Sequence, residues 1–163
     1  MAGTSHHPGP GRSGVRAHHP SEPPEPLTVR LPLDYTAFCL LHRDAYLRYA
    51  RARLTDAGTS RAAVEAALGQ LALIWPTALS SSCPAAVAWR LLGHQITLSV
   101  EQAAPAAVGH EDLHGRLPAA QADAVLLCHH LSLTPRQAAA LMGVQEPTVS
   151  SRLNAARRGL PTS

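Results

Sequence analysis

At 163 residues the chain has room for one or two small domains and a modest core. Aromatic residues make up only 4% and Phe occurs once, so that core has to be built mainly from Leu, Val and Ala. A net charge of +3 permits nucleic-acid binding without requiring it. No apolar run approaches a membrane span and no apolar stretch follows the N-terminal charges, so the expectation is a cytoplasmic protein with no membrane partner.

Met1 to about Arg30 mixes Pro, Gly, Ser and His, with Pro20, Pro23, Pro24 and Pro26 close together and almost nothing to bury. It reads as a disordered tail over 1–30, and its paired histidines, without fixed geometry, are assigned no metal. A helical bundle is expected over 31–100. From Asp34 to Leu54 one face carries Phe38, Leu41, Ala45, Tyr49 and Ala52, and nearly the opposite one Leu40, Leu47 and Leu54, which predicts contact on both sides. Asp56, Gly58 and Thr59 make a turn. A second helix from about Ser60 sets Val64, Ala67, Leu68, Leu71 and Trp75 on one stripe until Pro76 kinks or ends it. After a loop at 80–82, a third helix from Pro84 aligns Ala85, Trp89, Leu92, Ile96 and Val100.

The stretch 101–116 is rich in Pro, Gly and Ala and reads as a linker. It contains His110-Glu111-Asp112-Leu113-His114, matching the zinc-protease pattern H-E-x-x-H. That chemistry needs both histidines on one face of a stable helix, a third ligand and a glutamate over the bound water. Gly109 and Gly115 leave barely more than one turn, and no downstream ligand has the required spacing. A zinc hydrolase is therefore a remote alternative only. Cys39, Cys83 and Cys128 are too far apart for a Cys-x-x-Cys motif and read as buried, reduced thiols. With no nucleophile–base pair and no phosphate-cradling glycine loop, no catalysis, cofactor or metal is expected.

The most specific signal lies in 117–163. Thr134-Pro135 is a helix start, since a hydroxyl caps orphan N–H groups and proline at the first helical position forfeits no bond. Gly143 stops that helix, and another begins near Glu146 and Pro147. On the latter, Val149, Leu153, Ala156 and Leu160 form an apolar stripe that leaves Thr148, Ser151, Asn154, Ala155 and Arg158 facing outward. This is a helix-turn-helix with a polar, arginine-ended second helix.

Leu117-Pro118, Leu141-Met142-Gly143-Val144, Thr148-Val149-Ser150-Ser151-Arg152-Leu153 and Ala156-Arg157 together resemble region 4 of the sigma-70 family, especially its extracytoplasmic-function type. LuxR-type helix-turn-helices share the Thr-Val but usually continue K-x-H, and so come second. Leu54-Thr55-Asp56, Ile74-Trp75 and Trp89-Arg90 are similarly placed to landmarks of the family's region 2. There the chain departs in its polar signatures: Glu65-Ala66-Ala67-Leu68-Gly69 stands where the family has D-x-x-Q-E, and Gly93-His94-Gln95-Ile96 where it has I-A-R-N.

The resemblance implies an all-α fold of two small helical domains, a region 2-like three-helix bundle and a winged-helix-like region 4. It implies a role in bacterial transcription initiation, with double-stranded promoter DNA and core RNA polymerase as partners and an anti-sigma or accessory protein as a further one. DNA contacts fall to Arg136, Gln137, Thr148, Ser150, Ser151, Arg152, Asn154, Arg157 and Arg158, and polymerase contacts to Glu65 and Gln70. The alternative is a non-initiating regulator or sigma-like interaction protein that needs a partner.

Overall fold

The computed structural model describes residues 3, 31–102 and 111–159. The segment expected to be a tail, positions 103–110 of the expected linker with His110, and Leu160 of the last apolar stripe lie outside the described residues. Every element among the described residues is helical: α1 (Leu33–Arg53), α2 (Ala57–Leu73), α3 (Trp75–Ser80), α4 (Pro84–Gln102), α5 (Glu111–Arg116), α6 (Ala119–Val125), α7 (Pro135–Met142) and α8 (Glu146–Gly159). A π-helical turn, Leu126–His130, extends α6.

Local chemistry sets several of these boundaries. Asp56 caps α2, its carboxylate accepting from the Thr59 amide at 2.6 Å and the Thr59 hydroxyl at 2.7 Å. Those bonds, the amide's first, hold the Asp56 carboxyl below the usual carboxylate range. Pro76 sits in the first turn of α3, so the second predicted helix is divided where proline was expected to act.

α2 and α4 form the main contact of the bundle and α1 packs across α2. On α2 the predicted stripe Val64, Ala67, Leu68, Leu71, with Trp75 beyond it, is buried throughout. On α4, Leu92 and Ile96 are buried, while Ala85, Trp89 and Val100 are half-buried. Of the two faces expected for α1, Tyr49 and Leu54 are buried and Phe38, Ala45, Leu47 and Ala52 are half-buried against the core, but one residue of each face falls outside it. Leu40 and Leu41 are 82% and 77% exposed, and the buried line is Tyr35, Tyr46, Tyr49 and Ala50. The reason is coverage: α2, α4 and the end of α6 all meet α1 through its tyrosines.

The core is correspondingly less aliphatic than composition suggested. All of the chain's few aromatic side chains lie in it or against it, Tyr35, Tyr46, Tyr49 and Trp75 buried, Phe38 and Trp89 half-buried. The Tyr35 hydroxyl donates to the Leu68 carbonyl (2.7 Å), the Trp75 indole donates to Asp34 (3.0 Å), and the two rings meet edge to face at 5.4 Å. Burial pushes the hydroxyls of Tyr35 and Tyr46 above the usual phenolic range. The three cysteines are free and half-buried.

The chain from Leu31 onward forms one compact unit. A single cluster of buried residues runs from Tyr46, Tyr49 and Leu92 through Leu126 and Leu127 to Met142 and Val149, so the segments before and after the expected linker share a core. The described end of that linker, 111–116, is the helix α5. Its Leu113 packs with Leu117, Ala122 and Ala156 in a smaller cluster.

Candidate nucleic-acid interface

The helix-turn-helix is assembled by local rules. Thr134 Oγ1 accepts from the Gln137 amide (3.2 Å) while Gln137 Oε1 accepts from the Thr134 amide (2.9 Å), a reciprocal capping box, with Pro135 at the first helical position. At the other end Gly143 adopts φ +66°, ψ 37°, and the next amide, Val144, donates to the Ala139 carbonyl at 3.0 Å. Just before α7, Ser132 also takes a positive φ of 57°, which lets the Leu133 amide reach back to the Leu127 carbonyl and close the preceding π turn.

α8 is seated on α6 and α7 through Val149 and Ala156, both buried, with Leu153 half-buried. Its opposite side is a shallow open surface lined by Glu146, Pro147, Ser150, Ser151, Asn154 and Arg158. Of the predicted DNA contacts, Ser150, Ser151, Asn154 and Arg158 are thus brought together, and exposed Arg157 flanks them on the next turn. Thr148 is half-buried outside this group. Arg136 is exposed at the start of α7, whereas Gln137, besides its capping bonds, lines a groove toward α1 with Leu41, His42 and Leu141. Arg152 is directed elsewhere: it lies two residues, or roughly 200°, around α8 from both Ser150 and Asn154, and lines a groove against α4 and α6.

Glu146 was not among the expected contacts, although its spacing of four from Ser150 and eight from Asn154 places it on their face. Its carboxylate faces the same surface as Arg158. It lowers the positive charge there and supplies an acceptor suited to a cytosine amino group.

The seat of this unit on the rest of the chain is a network around Asp123 of α6. The Tyr49 hydroxyl donates to Asp123 Oδ1 (2.5 Å), His114 Nε2 donates to the same oxygen (2.7 Å), and the Arg53 guanidinium lies 3.9 Å away. Burial, then the Asp123 charge, pushes the Tyr49 hydroxyl well above the phenolic range. His114 Nδ1 is buried without a hydrogen-bond partner among the described residues. The second histidine of the H-E-x-x-H pattern is therefore turned into a helix–helix junction, on a helix of six residues. No group of three or more His, Cys, Asp or Glu with metal-holding geometry occurs among the described residues. Arg48 adds a bond from α1 to the Leu131 carbonyl at 2.9 Å.

The predicted polymerase contacts lie on α2. Glu65 pairs with Arg43 of α1 at 3.4 Å, both about half-exposed, and Gln70 is exposed five residues further on. They stand roughly 140° apart around the helix and do not form one patch.

A capped helix, a left-handed glycine turn and a second helix with a buried apolar side and an open polar side define a helix-turn-helix of the DNA-binding class. Residues 111–160 match the family description "Sigma-70, region 4". This part of the chain is similar to sigma-70 region 4, a similarity that supports a sigma-factor-like, DNA-binding role in transcription. No curated protein and no solved structure gives a significant match to the chain. Among the described residues, no helix is long and apolar enough to cross a membrane.

Proposed function

We propose that this is a sigma factor-like protein of the extracytoplasmic-function type, working in the bacterial cytoplasm, in which α8 reads promoter DNA for core RNA polymerase. The observation that carries this reading is the exposed face of α8. Ser150, Ser151 and Asn154 offer short hydrogen-bonding groups suited to base edges, Arg158 stands at the end of the same face, Arg157 is exposed on the next turn, and Arg136 is exposed at the start of α7. Phosphate contacts from the arginines set register and affinity, and the short polar side chains set sequence preference. Capture of the full chain by core polymerase, together with selection of duplexes from bulk genomic DNA, tests both partners. Failure to retain any duplex at low salt would refute the reading.

α2 favours a second form of it, in which the protein occupies DNA without initiating unless a partner such as an accessory or anti-sigma protein joins. Where the resembled family displays a carboxylate and amide set, this helix has Glu65 already paired with Arg43, Leu68 turned into the core, and Gly69 with no side chain. Reconstituted transcription on a supercoiled template pool separates the two forms. Efficient initiation by core polymerase and this protein alone excludes the second.

A further inference from the structure

A second concave surface, distinct from the outer face of α8, lies where α4, α6 and α8 meet. Ala86, Trp89 and Arg90 of α4 line it, with Ala119, Ala120 and Asp123 from α6, Met142 and Val144 from the turn, and Arg152 from α8. Its volume of about 370 Å³ falls within the range of roughly 300–1,000 Å³ typical of small-molecule sites.

Two guanidinium groups, Arg90 and Arg152, border this one groove, and neither forms an ion pair of 4.0 Å or less with any carboxylate among the described residues. The carboxylate that also lines it, Asp123, has Oδ1 occupied by Tyr49 and His114 and has Arg53 as its nearest guanidinium. Two like charges bordering an alanine-walled groove favour an anion that both can chelate, and guanidinium forks match phosphate oxygens bidentately. Trp89, tilted at 49° against Tyr49 with ring centroids 4.6 Å apart, gives the groove an aromatic wall. An aromatic wall beside paired guanidiniums suits a molecule with a flat ring and a phosphate tail.

We infer that the groove between α4, α6 and α8 binds a nucleoside phosphate, with Arg90 and Arg152 on the phosphates and the base against Trp89. The phosphates of a duplex seated on the outer face of α8 are not the ligand, because Arg152 points away from that face. The site is therefore independent of the proposed promoter contact. Since it touches α4 and α8 together, an occupant ties the DNA-reading helix to the bundle.

Titration calorimetry on the full chain with ATP, adenosine and inorganic pyrophosphate tests this. The expected result is saturable ATP binding, weaker binding of adenosine and of pyrophosphate, and an affinity for ATP reduced about tenfold or more by Arg90→Gln and by Arg152→Gln, as for loss of a charge-assisted hydrogen bond. Arg90 is exposed, so its replacement leaves the core intact, which a thermal melt verifies. Absence of saturable ATP binding overturns the inference, as does pyrophosphate binding as tightly as ATP, since the base would then contribute nothing. Displacement of ATP by duplex DNA also overturns it, because the groove would then belong to the DNA interface.

Discussion

Gly143→Ala places a methyl group where the helix-turn-helix meets the bundle. At φ +66° the residue is in the left-handed region, which costs an L side chain about 1–2 kcal/mol. Restricting the unfolded chain returns about 0.4–1 kcal/mol of that. The larger consequence is steric. A Cβ built at Gly143 would lie 2.1 Å from the Ala86 amide nitrogen and 2.5 Å from its Cα. These are backbone atoms of α4 that no rotamer change can move aside, so the turn must lift off α4 or α4 must shift. Overpacking of this kind costs about 1–3 kcal/mol. The expected net loss is about 2–3 kcal/mol, measured by urea denaturation followed through tryptophan fluorescence and far-UV circular dichroism. Asn at the same position tolerates the backbone angle but meets the same atoms, and should still lose about 1 kcal/mol or more. Gly69→Ala is the comparator: it lies in α2 with nothing within 4 Å of the added Cβ and should gain about 0.5–1 kcal/mol. A Gly143→Ala protein within about 0.5 kcal/mol of the parent would refute the close approach of the turn to α4.

Three further outcomes follow from the same geometry. Arg158→Ala should weaken binding to all duplexes alike and reduce the salt slope by about one, whereas Asn154→Ala should change preference at one base pair by about 1–3 kcal/mol, both read by fluorescence anisotropy across salt and sequence. Tyr49→Phe removes a buried hydroxyl that donates to Asp123 and should cost about 1–3 kcal/mol in urea unfolding, because the half-buried carboxylate loses one of its hydrogen-bond donors. Asp56 has its carboxyl held below the usual range by Thr59, so its contribution is present above the unfolded-state value near pH 4 and is lost as pH falls through the lower folded value. Asp56→Ala should therefore flatten part of the acid limb of a stability-versus-pH profile and narrow its difference from the parent at low pH.

What was legible in the sequence is what depends on neighbours a few residues away. The Thr134 cap, Pro135, the turn at Gly143 and the three- and four-residue steps of Val149, Leu153 and Ala156 identified the helix-turn-helix and its outward face, because caps, turns and helical periodicity are set within one or two turns of chain. The division of α2 from α3 at Pro76 was legible for the same reason. Only the tertiary structure decided which faces are covered. Periodicity gave α1 two apolar sides, and most of both is covered, but the packed helices also bury Tyr35, Tyr46 and Ala50 and leave Leu40 and Leu41 exposed. The resemblance placed Arg152 among the DNA contacts, but packing against α4 and α6 put it in a separate groove. His114 lies in a stretch that matches a metal motif only by its letters, and the sequence does not show the partner of its ring, Asp123, which is contacted also by Tyr49 from 74 residues earlier in the chain. A pattern along one helix states that a side is apolar or polar. Which surface meets it depends on contacts between distant segments, and those are set only when the chain has closed on itself.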